Sequence, residues 1–72
     1  MDFSAALHAL KNGSRVHRAG WNGAGQWIAM QTPDENSKMS LPYLYISTVG
    51  GALVPWLASQ TDLLSEDWEI AE

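Results

Sequence analysis

The sequence predicts an α+β fold: a small antiparallel sheet with an N-terminal helix and a short second helix near the C-terminus. Three observations predict it. An apolar stripe of helical period opens the chain, short β-branched or aromatic runs separated by turn signals follow, and a Ser/Thr-rich stretch introduces two leucines before a last short strand. At 72 residues the elements fit one domain, spanning residues 1–72.

The first helix is predicted over residues 3 to 12. Phe3, Ala6, Leu7 and Leu10 form one stripe, Asp2 or Ser4 can cap the first N–H groups, and Gly13 supplies the stop. His8 lies beside the stripe and is expected at the surface. Ser14 to Arg18 reads as a first strand with Val16 inward, and Ala19 to Gln26, with Gly20, Gly23 and Gly25, reads as a loop. Gln26 to Gln31 makes the second strand, and residues 32 to 40 a polar loop turned by Pro33 and Asp34. Tyr43 to Thr48 is the clearest strand. Gly50-Gly51 marks a hairpin leading to Ala52–Val54, which Pro55 is expected to end. Within residues 57 to 65 a short helix is predicted, capped by Thr61, with Leu63 and Leu64 inward. Trp68 and Ile70 then share one face of a final strand.

Composition narrows the function. Eight acidic residues against four basic ones give a net charge of −4, which disfavours polymeric nucleic acid as a partner because duplex binding neutralises many phosphates with Lys and Arg. A small phosphate-bearing molecule needs only an arginine or two and backbone N–H groups. With no cysteine and only His8 and His17 as imidazoles, neither a disulfide nor a metal centre nor any cofactor is expected. The absence of cysteine fits a reducing cytoplasm, and no apolar run has the length of a membrane span or a secretory signal. A domain this small has a thin stability margin, so self-association is expected.

Nothing assembles a catalytic constellation. There is no cysteine nucleophile, no serine elbow, and no arrangement placing His8 or His17 beside a serine and an orienting acid. Asp62 and Glu66 would share a helix face at i, i+4, a spacing that serves a paired-carboxylate site and equally a solvated acidic face. The sequence is read as that of a binding protein and not an enzyme.

Two segments are richer in binding chemistry than folding requires. In Arg18-Ala-Gly-Trp-Asn-Gly-Ala-Gly-Gln-Trp27, the glycines let backbone N–H groups approach a ligand oxygen, Trp21 and Trp27 bring aromatic faces, Asn22 offers donor and acceptor, and Arg18 offers a guanidinium. In Val54-Pro-Trp-Leu-Ala-Ser-Gln-Thr-Asp62, Trp56 precedes Ser59, Gln60, Thr61 and Asp62 at a helix N-terminus, where N–H donors and the dipole favour an anion or a carbonyl. Each has an ordinary structural reading, a glycine-rich turn and a helix cap. The four tryptophans can likewise fill a small core, though Trp68 and Phe3 are expected there in preference to Trp21, Trp27 and Trp56. Tyr43 and Tyr45 alternate onto one sheet face as core or interface.

Phe3-Ser-Ala-Ala-Leu7, Leu10-Lys-Asn-Gly13, Gly20-Trp-Asn-Gly-Ala-Gly25, Pro55-Trp-Leu-Ala-Ser-Gln-Thr-Asp62 and Glu66-Asp-Trp68 together resemble the second Thoeris anti-defence family, small phage and prophage proteins formerly grouped as a domain of unknown function. The resemblance runs nearly end to end; around residues 32 to 51 this chain is shorter than many relatives. It implies a sponge: a homo-oligomer, commonly a tetramer, in the cytoplasm of an infected or lysogenic bacterium. Such proteins hold a cyclic ADP-ribose-type signal made by a TIR-domain sensor, and some relatives hold cyclic oligonucleotides, without degrading them. On that reading adenine stacks on Trp21, Trp27 or Trp56, phosphates meet Arg18 and the loop around Gly23 and Gly25, and ribose hydroxyls meet Asn22, Ser59, Gln60, Thr61 and Asp62. The alternative is a protein-interaction module that inhibits a host protein through its aromatic surface.

Overall fold

The computed structural model of the chain describes residues 1–71. Helix α1 (Phe3–Lys11) starts at Asp2, whose carboxylate accepts the Ala5 N–H at 2.9 Å, and stops at Asn12 and Gly13. Gly13 takes φ 92°, a left-handed conformation that costs glycine little, and its N–H and that of Ser14 close onto the Leu10 and Ala9 carbonyls. Ala6 and Leu10 are fully buried, Phe3 and Leu7 half-buried, and His8 exposed. The predicted stripe is the buried one.

Strands β1 (Arg15–Arg18), β2 (Trp27–Gln31), β3 (Tyr43–Ser47) and β4 (Leu53–Pro55) form an antiparallel meander. From β4, at one edge, the chain runs through α2 (Gln60–Leu64) to the opposite edge. There β5 (Trp68–Ala71) pairs antiparallel with β1, giving the order β4-β3-β2-β1-β5. Helix α1 covers one face of this sheet. The core is Ala6, Leu10, Val16, Ile28 and Trp68, with Trp68 its largest member at 1% exposure.

β4 ends at Pro55, as expected, but the strand runs Leu53–Pro55 and so includes the proline as its last residue, opposite Tyr45. A proline is tolerated because β4 is an edge strand, and the next N–H, that of Trp56, extends the pairing to the Leu44 carbonyl at 3.1 Å. Between β3 and β4 the chain turns through Gly51 at φ 87°, whose N–H donates to the Thr48 carbonyl.

Helix α2 corrects two expectations. Its cap is Ser59, not Thr61. The Ser59 hydroxyl accepts the Asp62 N–H at 3.0 Å while the Asp62 carboxylate accepts the Ser59 N–H at 3.2 Å, a reciprocal capping box. Leu63 and Leu64 face solvent, 45% and 80% exposed. The helix is barely more than one turn, and the side it presents to the body of the protein is the one carrying Asp62, which polar partners hold.

Register fixes which residues share a face. Val16 opposes Ile28 and Ile70, and Ile28 opposes Ile46, so these point toward α1. Arg15, His17, Trp27, Tyr43, Tyr45 and Leu53 therefore point to the other side, which no element of the described residues covers.

Candidate functional site

The crossing from β4 to β5 brings the two motif-rich segments together. Because β5 pairs with β1, the start of β5 lies beside the end of β1, where the glycine loop begins, and α2 sits against both. Arg18 is the junction. Its Nε donates to Asp67 Oδ1 and its Nη1 to Asp62 Oδ1, each at 2.9 Å, with the arginine side chain 14% exposed. The second oxygen of Asp67 accepts the Gly20 N–H at 2.8 Å. A Cβ at Gly20 would lie 2.8 Å from that same oxygen, which is why this position has no side chain.

Asp62 serves more partners than any other residue of the cluster. Besides Arg18, its Oδ1 accepts the Trp21 indole N–H at 3.2 Å, its Oδ2 closes the capping box, and its main-chain carbonyl accepts the Trp68 indole N–H at 2.9 Å. Partial burial of Asp62 works to raise its pKa, but hydrogen bonds from Arg18, Trp21 and Ser59 outweigh this and hold it below the ordinary value of 3.8. Asp67 is also lowered, chiefly by the Arg18 hydrogen bond and further by Gly20, against a smaller opposing effect of burial. Arg18 is raised by Asp67 and then Asp62. Near neutral pH this is an arginine between two carboxylates, with no proton to offer.

Above this clamp stands an aromatic group centred on buried Trp68. Phe3 lies 5.3 Å from it, Trp21 5.5 Å in an edge-on arrangement, and Trp56 6.0 Å, also edge-on; Phe3 and Trp56 are 6.0 Å apart. Trp68 fills the core as expected. Phe3, Trp21 and Trp56 are half-buried, so each packs one side on Trp68 and leaves the rest at the surface. Edge-on contact suits the positive ring edge to the negative face and leaves indole faces accessible. Gln60, Thr61 and Asn22 are exposed, Asn22 following Trp21 in the chain, and Ser59 is exposed but engaged as the cap.

The remaining predicted residues lie elsewhere. Trp27 points to the uncovered face, on the far side of the sheet from Trp21 and Trp56, where Arg15 stacks on it at 4.7 Å and Tyr45 meets it edge-on at 6.0 Å. Gly23 is packed tightly, since a Cβ there would lie 2.3 Å from Val49. Gly25, at φ 78°, has open space around it. Glu66 is outside α2, which ends at Leu64, so Asp62 and Glu66 do not form the paired face that an intact helix would give. No group of three or more His, Cys, Asp or Glu residues able to hold a metal occurs among the described residues.

Sequence reasoning left out Asp67 and Arg15 as site residues. For Asp67 no local signal exists, because its partner is 49 positions away. For Arg15 the signal was present: strand alternation places it opposite Val16 and on the side of Trp27.

The geometry thus defines a small α+β domain with a half-exposed aromatic group braced by a charged clamp. Residues 1–71 match the model of the Thoeris anti-defense 2-like domain family, and the chain belongs to that family. It is 32% identical over 83 aligned positions to a protein named Thoeris anti-defense 2 from Bacillus phage SP01, covering 97% of this chain and 93% of that one. No helix among the described residues is long and apolar enough to cross a membrane.

Proposed function

We propose that this protein serves an anti-defence role by sequestering a cyclic nucleotide immune signal, a cyclic ADP-ribose derivative or a cyclic oligonucleotide, in the cytoplasm of a phage-infected or lysogenic bacterium. Family membership supports the anti-defence role. The observation that carries the binding mode is the shelf of Trp21 and Trp56, half-exposed and braced on Trp68, in the same two segments as the exposed Asn22, Gln60 and Thr61. Indole faces accept adenine, with stacking worth about 1–3 kcal/mol per base, and amides and hydroxyls accept ribose. Arg18, Ser59 and Asp62 hold the shelf in position.

The charge state of the same site supports holding without cleavage. Its carboxylates are ionised and ion-paired, so neither is a proton donor at neutral pH. The shelf is open on one protomer, and a second copy completes the enclosure; a homotetramer supplies such cavities in pairs. Nanomolar retention needs about 12 kcal/mol, more than an open shelf provides. The test is to load purified protein with cyclic ADP-ribose-type and cyclic dinucleotide signals, denature it by heat, and identify what is released by mass spectrometry. Unchanged signal in stoichiometric amount supports the reading. Cleaved signal, or none retained across the panel, refutes it.

The uncovered sheet face favours a second reading, a module that inhibits a host protein. Tyr43, Leu53 and Val54 are exposed there or at its margin, 38%, 62% and 41%, around a cleft of about 180 Å³. Capture of one host protein that survives removal of all nucleotides distinguishes it.

A further inference from the structure

The glycine loop reaches both faces of the sheet, and its two ends differ in what they offer an anion. At the Gly20 end the donors are already committed to carboxylates: the Gly20 N–H to Asp67, and the Arg18 Nε and Nη1 to Asp67 and Asp62. A phosphate there would displace carboxylates already in place or sit beside two negative charges.

The other end is different. Gly25 is exposed, at φ 78°, with nothing within 4 Å of where a side chain would start. Next to it a hollow of about 350 Å³ is lined by Arg15, His17, Gly25, Gln26, Trp27 and Ile70, with Ala71 beside them. Arg15 is exposed, and no carboxylate among the described residues pairs with it. Its guanidinium carbon lies 4.7 Å from the centroid of the Trp27 ring, a cation–π contact that restrains the side chain. His17, which also lines the hollow, has its Nε2 3.3 Å from the carboxylate of Glu69, its cross-strand partner.

We propose that the phosphate-binding subsite of this protein is the Arg15–Gly25 hollow on the uncovered sheet face, not the Arg18–Gly20 end of the loop. A planar guanidinium held on an indole presents two parallel donors, the geometry that a phosphate ester or pyrophosphate accepts in bidentate fashion. The proposal deepens the sequestering function and rests on it for the identity of the whole ligand. It places the phosphates of a nucleotide on the opposite face from Trp21 and Trp56 of the same protomer. One ligand touching both must therefore span two copies, with one copy giving the aromatic shelf and the other giving Arg15.

The experiment is a ¹H–¹⁵N titration with inorganic pyrophosphate and, separately, with adenosine 5′-diphosphate, on wild type, Arg15→Gln and Arg15→Lys. Both substitutions are at an exposed residue that forms no ion pair among the described residues, and the unperturbed spectrum of each variant verifies its fold. Pyrophosphate is expected to shift the Arg15 Nε–H and the Gly25 to Trp27 amides saturably, with Gly20 unmoved. Arg15→Gln is expected to weaken binding by about tenfold, the scale of losing a charged hydrogen-bond partner, and Arg15→Lys to weaken it less. Shifts centred on Gly20 and Arg18, or equal binding by wild type and Arg15→Gln, overturn the proposal. If Arg15→Gln holds a cyclic nucleotide with the same affinity as wild type and releases it intact, the sequestering function stands and the subsite falls. If pyrophosphate binds through Arg15 while no cyclic nucleotide is retained, the subsite stands and the sequestering function falls.

Discussion

Trp68 and Trp27 lie on adjacent regions of one sheet and are held in different ways. Trp68 faces α1, is 1% exposed, donates its indole N–H to the Asp62 carbonyl and touches three other aromatic rings. Trp27 faces away from α1, is half-buried, and is held by an arginine on its face and a tyrosine against it. On the covered face, packing and hydrogen bonds fix the aromatic residues and the clamp fixes α2, so the shelf is preformed. On the uncovered face the aromatic residues are ordered by each other, with one side left for something else to cover. Stability is concentrated in one layer, and unclaimed surface in the other.

This contrast breaks most readily at Trp68. Trp68→Ala is expected to cost about 3–5 kcal/mol, enough to unfold a domain of this size, whereas Trp27→Ala is expected to cost about 1 kcal/mol; urea denaturation followed by circular dichroism measures both. Equal losses at the two positions would remove the distinction between the faces.

The clamp comes next. Asp62→Asn is expected to lower stability by roughly 2 kcal/mol through lost charged hydrogen bonds, and to shift the fluorescence of Trp21 as its indole loses its acceptor. The direct pH counterpart concerns both carboxylates. Each has a folded pKa below the ordinary 3.8, so the stabilisation is fully present above about pH 4 and is lost as pH falls through the lower, folded values. Thermal unfolding between pH 7 and pH 2 should show this acid-side loss, and the double variant Asp62→Asn/Asp67→Asn should flatten it. Smaller still is the cap: Ser59→Ala is expected to cost about 1 kcal/mol by the same urea measurement. Leu64→Gln, at a side chain 80% exposed, is expected to change stability by no more than about 0.5 kcal/mol.

Much of the covered layer was legible in the sequence, because burial repeats with the period of the element. Phe3, Ala6, Leu7 and Leu10 mark α1, and alternation marks β1 through β3. Helix α2 was legible as a helix but not in its orientation. Leucines at 63 and 64 suggest an apolar face, and only the contacts of Asp62 with Arg18 and Trp21, more than 40 positions away, turn that face outward. The candidate site was legible in its members and not in its grouping. Trp21, Trp27 and Trp56 look alike as members of a motif. Strand parity, which makes Ile28 inward and Trp27 outward, separates them, and strand order, which lays β5 against β1, brings Trp21 and Trp56 each against Trp68. Loop-spanning ion pairs such as Arg18–Asp67 have no local signature at all.

The strand order has a consequence for how the molecule comes into being. The interior strand β1 finds its second neighbour only in β5, and the plug of the core, Trp68, is translated after every other core residue. A nascent chain halted before residue 68 holds a helix and a meander with an empty slot between them, exposing the apolar surface that Trp68 would cover. Folding must then wait on contacts between distant ends of the sequence, which is slow by its topology. Near-complete polypeptides should consequently be sticky, protease-sensitive species, and maturation should occur as a single late closure.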